Sequence, residues 1–340
     1  MTGPGPAASD VTDIGPVRRW WLGARPRTLP AAVVPVVVAT AAAHARGVPT
    51  RAAGSVGWAA HGAGAVPRVD PWWCAAGALV VALAIQVGTN YANDYADGVR
   101  GTDDARVGPV RLTASGLAAP AAVRGAALAS FAVAGVAGLG LAWATSWWLV
   151  PVGAACLLAG WFYTGGPRPY GYAGLGEVFV FVFFGLVATV GTWYVQTGRL
   201  GPAAIWWAAT AVGLLATGLL LANNLRDIAT DAVSGKRTLA VRIGRRAGGW
   251  CYAACALVPF GAAVVAAALG LAGVADIPAP GWLLLPLAAL PLAAAPVRLA
   301  TGDAEGRALL PVLAATGRLQ LAYGGLLAVA LWLALPRVLP

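Results

Sequence analysis

Asn90-Tyr91-Ala92-Asn93-Asp94-Tyr95-Ala96-Asp97 closes an apolar run that begins at Trp72 and reaches Gly88. Continued as a helix, the run puts Asn90, Asp94 and Asp97 at i, i+4 and i+7, on one face. Carboxylates at the edge of hydrocarbon repel one another and cost about 2.5 to 3.5 kcal/mol each at a membrane midplane, so this face needs a cation or a water-filled cavity. Oxygen donors without His or Cys suit a hard ion, Mg²⁺ before Zn²⁺. The pattern returns in Asn223-Asn224-Leu225-Arg226-Asp227-Ile228-Ala229-Thr230-Asp231, where Asn223, Asp227 and Asp231 fall at i, i+4 and i+8 after the apolar run Trp206 to Ala222. Two membrane-length helices that both end in such a face read as an internal duplication with one half-site per copy. Either one alone would be an ordinary solvated helix end.

Composition sets the class. The chain of 340 residues is 59% hydrophobic and 11% charged, with a mean hydropathy of +0.73, far from soluble averages and in the range of an all-α polytopic membrane protein. A net charge of +10 would suit nucleic acid, but no basic domain or aromatic-basic module accompanies it, so no nucleic-acid partner is expected. Cys74, Cys156, Cys251 and Cys255 lie in apolar runs without a C-x-x-C pair, which supports neither a disulfide framework nor a zinc site. His44 and His61 lie in or beside a Gly/Ala-rich loop and read as solvated.

Residues 1–17 are polar and rich in Gly and Pro and are expected to form a disordered tail, with 18–340 a single transmembrane domain. Arg18, Arg19, Trp20, Trp21, Arg25 and Arg27 suit an interfacial helix on an anionic leaflet. Nine apolar stretches follow, at about Leu29–Ala43, Trp72–Gly88, Ala118–Ala144, Trp147–Tyr163, Leu175–Val195, Ala203–Ala222, Trp250–Leu271, Trp282–Ala295 and Leu319–Leu335. Pro30 and Pro35 are positioned to kink the first. Residues 46–71 read as a flexible outer loop. In a nine-helix transmembrane arrangement only Arg46, Arg51, Arg68, Arg199 and Arg337, five of 23 basic residues, lie on one side. The positive-inside rule then places the N-terminus in the cytoplasm, the C-terminus outside, and both acidic stretches at the cytoplasmic surface of a cell membrane.

Six of the 13 acidic residues (Asp94, Asp97, Asp103, Asp104, Asp227 and Asp231) belong to these two stretches or to the loop after the first. Cations are interleaved with them: Arg100, Arg106 and Arg111 after the first stretch, Lys236 and Arg237 after the second. Carboxylates that take Mg²⁺, alternating with bases, match a diphosphate, because the metal bridges its oxygens while Arg or Lys neutralises the remaining charge. Lys236 is the only lysine in a chain that otherwise uses arginine, which singles out a compact, flexible point charge at that position.

These residues carry a resemblance. N-Y-A-N-D-Y-A-D with G-T-D-D, and N-N-L-R-D-I-A-T-D-A-V-S-G-K-R-T-L-A-V-R-I-G, resemble the two Asp-rich motifs of the UbiA-type intramembrane prenyltransferases. Three further segments agree: Ala24 to Pro30 (A-R-P-R-T-L-P), Gly108 to Gly116 (G-P-V-R-L-T-A-S-G), and Tyr163 to Tyr172 followed by Gly174-Leu175-Gly176-Glu177. The similarity runs from Arg19 nearly to the end of the chain. It implies transfer of a polyprenyl group from polyprenyl diphosphate, within a lipid membrane, to an aromatic acceptor. The G-K-R-T tail and the long gap from Asp97 to Asp103 favour the branch whose acceptor is 1,4-dihydroxy-2-naphthoate over the D-x3-D branch that uses 4-hydroxybenzoate. The resemblance further implies Mg²⁺ held by Asn90, Asp94, Asp97, Asn223, Asp227 and Asp231. Arg100, Arg111, Lys236 and Arg237 are then implied as diphosphate ligands, and Asp94, Asp97, Asp227, Asp231 and Lys236 as the catalytic set. The loop at 46–71 is longer than the family's usual one.

Two other classes compete. A CDP-alcohol phosphotransferase motif opens D-x2-D-G, as Asp94 to Gly98 does, but continues with Ala-Arg where this chain has Gly101-Thr102. A cation-coupled transporter also places carboxylates on related helices, but at the midplane of the membrane and not at the ends of its spans. A family member with another aromatic acceptor is the nearest alternative.

Overall fold

The computed structural model describes residues 15–45, 70–102, 111–275 and 277–335. The N-terminal tail, most of the 46–71 loop, and Asp103, Asp104 and Arg106 lie outside the described residues, as do the expectations attached to them. All regular structure among the described residues is helical.

Helix α1 (Pro16–Gly23) and a 3-10 turn (Pro26–Thr28) lead into α2 (Pro30–Ala45) at a bend of 57°. The break falls before Pro30, which opens α2 at the position where a missing N–H costs nothing. Pro35 is accommodated inside the helix. Helix α3 (Pro71–Val99) is capped by the Asp70 side chain, which accepts from Trp72 N at 2.7 Å. Helix α4 (Pro120–Ala144) also starts on proline. Helix α5 (Leu149–Phe162) has only 14 residues, about 21 Å, which is short for a bilayer core. Its packing partners are α3 and α4. Only Ala159 and Gly160 along its length are buried.

Helix α6 (Gly176–Val180), a π-helical turn (Phe181–Val187) and α7 (Ala188–Thr197) form one continuous apolar rod. Its Gly185 lies against Gly213 of α8 (Ala203–Val233), so close that a Cβ at position 185 would run into the Gly213 backbone. Helix α9 (Leu239–Leu271) begins eleven residues before the apolar stretch at Trp250, because its first turns carry Arg242, Arg245 and Arg246; it breaks at Gly244, whose φ is 81°. The stretch Trp282–Ala295 is not one helix. Prolines 280, 286, 291 and 296 divide it into a 3-10 segment (Pro280–Ala289) and α10 (Pro291–Thr301), bent by 52°. Helix α11 (Leu310–Ala334) completes the chain and starts earlier than hydropathy alone suggests, since Thr316, Arg318 and Gln320 are helical too.

Six of these helical rods are long and apolar enough to cross a membrane, or eight when each bent pair counts as one. Each of the nine sequence stretches falls on helix, but α5 is below spanning length by itself. Large apolar side chains including Trp72, Trp73, Trp143, Trp148, Val136 and Trp250 face outward, as they must where the surroundings are hydrocarbon. The protein is a multi-pass membrane protein.

The main core joins α2, α7, α8, α9 and α11; a smaller one gathers Ala24, Tyr91, Leu112, Val123, Ala127 and Phe131 around α3 and α4. Between the two lies a cavity of ≈460 Å³, walled by α3, α4 and α5 on one side and by α6, α7 and α8 on the other.

Candidate active site

Both acidic stretches reach this cavity. On α3 the lining residues include Gln86, Asn90, Asn93 and Asp97, at steps of four, three and four; on α8 they include Asn223, Asn224, Asp227 and Asp231. Gly235, with φ 75°, ends α8 in the left-handed turn that glycine supplies, and Lys236 N donates back to Asp231 O at 2.8 Å. That reversal returns Lys236 to the cavity. Its Nζ stands 3.4 Å from Asp97 Oδ2, and Arg111 Nη2 stands 3.7 Å from the same oxygen. The other oxygen, Oδ1, accepts a 2.8 Å hydrogen bond from the Tyr172 hydroxyl. Tyr172 is wedged between cations, its ring 5.2 Å from Lys236 Nζ and 5.5 Å from the Arg100 guanidinium carbon. Burial first, and the Asp97 charge second, hold its phenol above the ordinary tyrosine value, so it stays protonated and donates.

Across the cavity Asp227 takes a bidentate pair of 2.7 Å bonds from Arg226. Asn224 Nδ2 donates to Glu177 Oε1 at 2.8 Å, which ties the first turn of α6 to α8. Away from this polar end the lining is hydrocarbon and aromatic: Tyr163, Tyr170, Phe179 and Phe183 form a run of ring contacts along one wall.

The expected site residues divide accordingly. Asn90, Asp97, Arg111, Asn223, Asp227, Asp231 and Lys236 line the cavity; Asp94, Arg100 and Arg237 do not. Asp94 is fully buried, and its two oxygens accept from the backbone N–H groups of Leu112 and Thr113, each at 2.8 Å. The reason is helical phase. At 100° per residue Asp94 is turned about 70° from the centre of the Gln86, Asn90, Asn93, Asp97 face, toward the 111–113 segment. Arg100 donates to the carbonyls of Thr164 and Gly166, and Arg237 is exposed, with its backbone N–H on Tyr172 O. Asn90 lines the cavity but also fastens the start of α2, donating to Ala24 O at 2.9 Å and to Thr28 Oγ1 at 3.1 Å.

Sequence reasoning assigned no role to Asn93, Tyr172, Asn224 or Arg226. Asn93 was findable from the four-three-four spacing, whereas Tyr172 reaches Asp97 only through the loop after α5.

The donor set fits Mg²⁺. At the polar end of the cavity the candidate ligands, Asn90, Asp97, Asn223, Asp227 and Asp231, are all oxygen donors, and among the described residues no three His, Cys, Asp or Glu stand close enough to chelate an ion by themselves. Mg²⁺ is characteristically held by one or two carboxylates, with water and substrate phosphates completing the shell.

A helical membrane protein whose cavity is acidic and cationic at one end and apolar along the rest has the form of an enzyme for substrates with an anionic head and a hydrocarbon tail. The UbiA prenyltransferase family model matches residues 52–317. The chain is 46% identical to a 1,4-dihydroxy-2-naphthoate octaprenyltransferase of Mycobacterium tuberculosis, over 90% of this chain and 94% of the relative. It is 44% identical to the protein of the same name from Mycobacterium leprae, over 93% and 97%. In structure it is similar to a UbiA homolog from Archaeoglobus fulgidus bound to GPP and Mg²⁺, with a TM-score of 0.55 at 15% identity, covering 92% of this chain and 99% of that one. The chain belongs to the UbiA prenyltransferase family.

Proposed function

We propose that this enzyme transfers a polyprenyl group from polyprenyl diphosphate to 1,4-dihydroxy-2-naphthoate, releasing CO₂ and diphosphate and giving demethylmenaquinol for menaquinone biosynthesis. The observation that carries the reading is the chemistry of the cavity: acidic, amide and cationic side chains, Asp97, Asp227, Asp231, Arg111 and Lys236 among them, at one end of a space whose remaining walls are mostly apolar. The relatives that bear this activity in their names match nearly the full chain.

Asp97 with the amide oxygen of Asn90 on α3, and Asp227 and Asp231 with that of Asn223 on α8, would hold Mg²⁺ as two half-sites, each completed by water and the donor's phosphate oxygens. Bound there, Mg²⁺ would withdraw charge from the donor's diphosphate and favour scission of the allylic C1–O bond. Lys236 and Arg111, set beside Asp97, would take the charge of the departing diphosphate. Tyr172 orients the Asp97 carboxylate by its hydrogen bond, leaving the Asp97 Oδ2 edge to the cations. Asp94 supports the site indirectly by fixing the backbone after Arg111. The ring carbon bearing the carboxylate forms the new bond to the prenyl C1; the bond to CO₂ then breaks and its electron pair restores the aromatic ring. The apolar walls exclude the water that would otherwise capture the allylic carbon.

The same reading takes residues 18–340 as one transmembrane domain with nine spans, α5 among them. The N-terminus and the acidic end of the cavity face the cytoplasm and the C-terminus lies outside, as the distribution of Arg and Lys supports. The test is mass spectrometry of the lipid formed by purified protein with 1,4-dihydroxy-2-naphthoate, Mg²⁺ and a mixture of prenyl diphosphates. The expected product has the mass of prenylated, decarboxylated naphthalenediol. A product that retains the carboxylate, or none with this acceptor, defeats the reading.

A further inference from the structure

Two amide side chains on the cavity wall have no part in the chemistry above: Asn93 on α3 and Asn224 on α8. Each is gripped at one end. The Thr164 hydroxyl donates to Asn93 Oδ1 at 2.7 Å, and Asn224 Nδ2 donates to Glu177 Oε1 at 2.8 Å. Neither amide can turn over without loss. Thr164 is fully buried and its hydroxyl has no other acceptor among the described residues, so a reversed Asn93 would orphan that proton. A reversed Asn224 would set its oxygen against the Glu177 carboxylate, which only accepts. The ends left to the cavity are therefore opposite in kind. Asn93 offers the N–H bonds of Nδ2 and Asn224 the lone pairs of Oδ1, and among the described residues neither atom has a hydrogen-bond partner.

Their depth narrows what they meet. Asn93 lies four residues before Asp97 and Asn224 three before Asp227, on helices that both run toward the acidic end of the cavity. Both amides thus stand about 4.5 to 6 Å, one turn, on the hydrocarbon side of the carboxylates. That is the depth at which a donor with its diphosphate at the carboxylates presents C1 to an aromatic ring.

The acceptor has a matching polarity. In 1,4-dihydroxy-2-naphthoate the C1 hydroxyl is ortho to the carboxylate and gives its proton to it in a charge-assisted internal bond. The C1 oxygen is left as an acceptor, whereas the C4 hydroxyl keeps a free proton. We infer that Asn93 donates to the C1 oxygen and Asn224 accepts from the C4 hydroxyl, so that the two amides read the para-diol; this inference rests on the functional reading above. Thr164 and Glu177 are positioning residues that hold the amides in these orientations. Fixing the ring at both ends of its C1–C4 axis holds the carboxyl-bearing carbon in place for bond formation.

The test uses 1,4-dihydroxy-2-naphthoate as substrate and two competing ligands: 1-hydroxy-2-naphthoate, which lacks the C4 hydroxyl, and 4-hydroxy-2-naphthoate, which lacks the C1 oxygen. Asn224→Ala should raise the acceptor KM and the Ki of 4-hydroxy-2-naphthoate about five- to tenfold, the worth of one hydrogen bond, and leave the Ki of 1-hydroxy-2-naphthoate within about twofold. Asn93→Ala should show the reverse selectivity, weakening 1-hydroxy-2-naphthoate and sparing 4-hydroxy-2-naphthoate. Glu177→Gln can hold the Asn224 amide either way round, so it should weaken 4-hydroxy-2-naphthoate about two- to fivefold and spare 1-hydroxy-2-naphthoate, a pattern that general loosening would not produce. Being nearly isosteric, it carries the test if an alanine variant fails to fold. Equal weakening of both hydroxynaphthoates, an exchange of the two selectivities, or a rise in the prenyl diphosphate KM with the acceptor constants unchanged overturns the assignment. Wild type that makes no product from 1,4-dihydroxy-2-naphthoate fails the functional reading itself, whereas normal product with unchanged acceptor constants in all three variants fails only this inference.

Discussion

Asp94 and Asp97 are three residues apart in one motif, yet the structure gives them different surroundings, and replacing each with asparagine tests whether their roles differ as well. The Asp94 carboxylate accepts from two backbone N–H groups at 2.8 Å with no exposure to solvent. An amide offers one oxygen and one NH₂, so one of those N–H groups would face a donor. Losing a bond to a charged acceptor costs about 1.5 to 3 kcal/mol and orphaning a buried N–H about 1 to 3 kcal/mol. Removing a desolvated charge offsets part of this, leaving a net loss of about 2 to 3 kcal/mol. Asp94→Asn should therefore unfold at lower temperature in detergent, and its residual turnover should not respond to Mg²⁺, because the defect is a loosened 111–113 segment. Asp97→Asn leaves the backbone contacts intact. It should keep a near-normal unfolding midpoint, lose at least 100-fold in turnover, and regain part of it as Mg²⁺ is raised. Thermal scans and turnover at several Mg²⁺ concentrations read both effects. An Asp94→Asn protein as stable as wild type and rescued by Mg²⁺ would refute the division of roles.

Tyr172→Phe removes the donor to Asp97 Oδ1 and should lower turnover about 10- to 100-fold, a loss of roughly 1.5 to 3 kcal/mol. Because the folded phenol titrates above its unfolded value of about 10, its contribution to stability is fully present below pH 10 and is lost as pH rises through the folded value. The unfolding midpoint of wild type should thus fall more steeply above pH 10 than that of Tyr172→Phe. Gly185→Val places a branched side chain against the Gly213 backbone, which cannot move aside as a flexible side chain would; an overpacking loss of about 1 to 3 kcal/mol is expected, read as reduced yield and a lower unfolding midpoint. A reporter fused after Pro340 should read as external and one inserted after Asp231 as cytoplasmic; a cytoplasmic C-terminus would reject the nine-span topology.

Much of this was legible in the chain. The apolar runs that end in Asn and Asp locate α3 and α8, and the α8 face, from Asn223 to Asp231, lines the cavity as its spacing predicts. On α3 the same arithmetic is ambiguous. Asn90, Asp94, Asp97 and Asn90, Asn93, Asp97 are both acceptable helical faces, and what separates them is the 111–113 backbone beside Asp94, a tertiary contact that periodicity does not encode. Nearness in sequence likewise suggested Arg100 and Arg237 as phosphate ligands. The fold spends the first on the carbonyls of the loop after α5 and turns the second outward. Tyr172 carries no charge pattern to mark it, and its role exists only once that loop closes over Asp97.

The cavity between the two cores has a consequence for how much of the donor the enzyme can read. An apolar cavity of about 150 Å³ accepts one benzene, so ≈460 Å³ takes on the order of 18 carbon atoms, fewer than four isoprene units even if the tail alone were to fill it. A longer tail has to continue beyond the walls, and the side formed by α5, short and buried only at Ala159 and Gly160, is the least covered boundary. Beyond it the tail is dissolved in lipid, where one more isoprene unit exchanges hydrocarbon for hydrocarbon at almost no change in free energy. Measured at fixed mole fraction in the bilayer, kcat/KM should rise with tail length only up to at most about four isoprene units and then level. The enzyme would act as a ruler only for the first few units, and the length of the quinone tail in the cell would be decided by whichever synthase supplies the diphosphate.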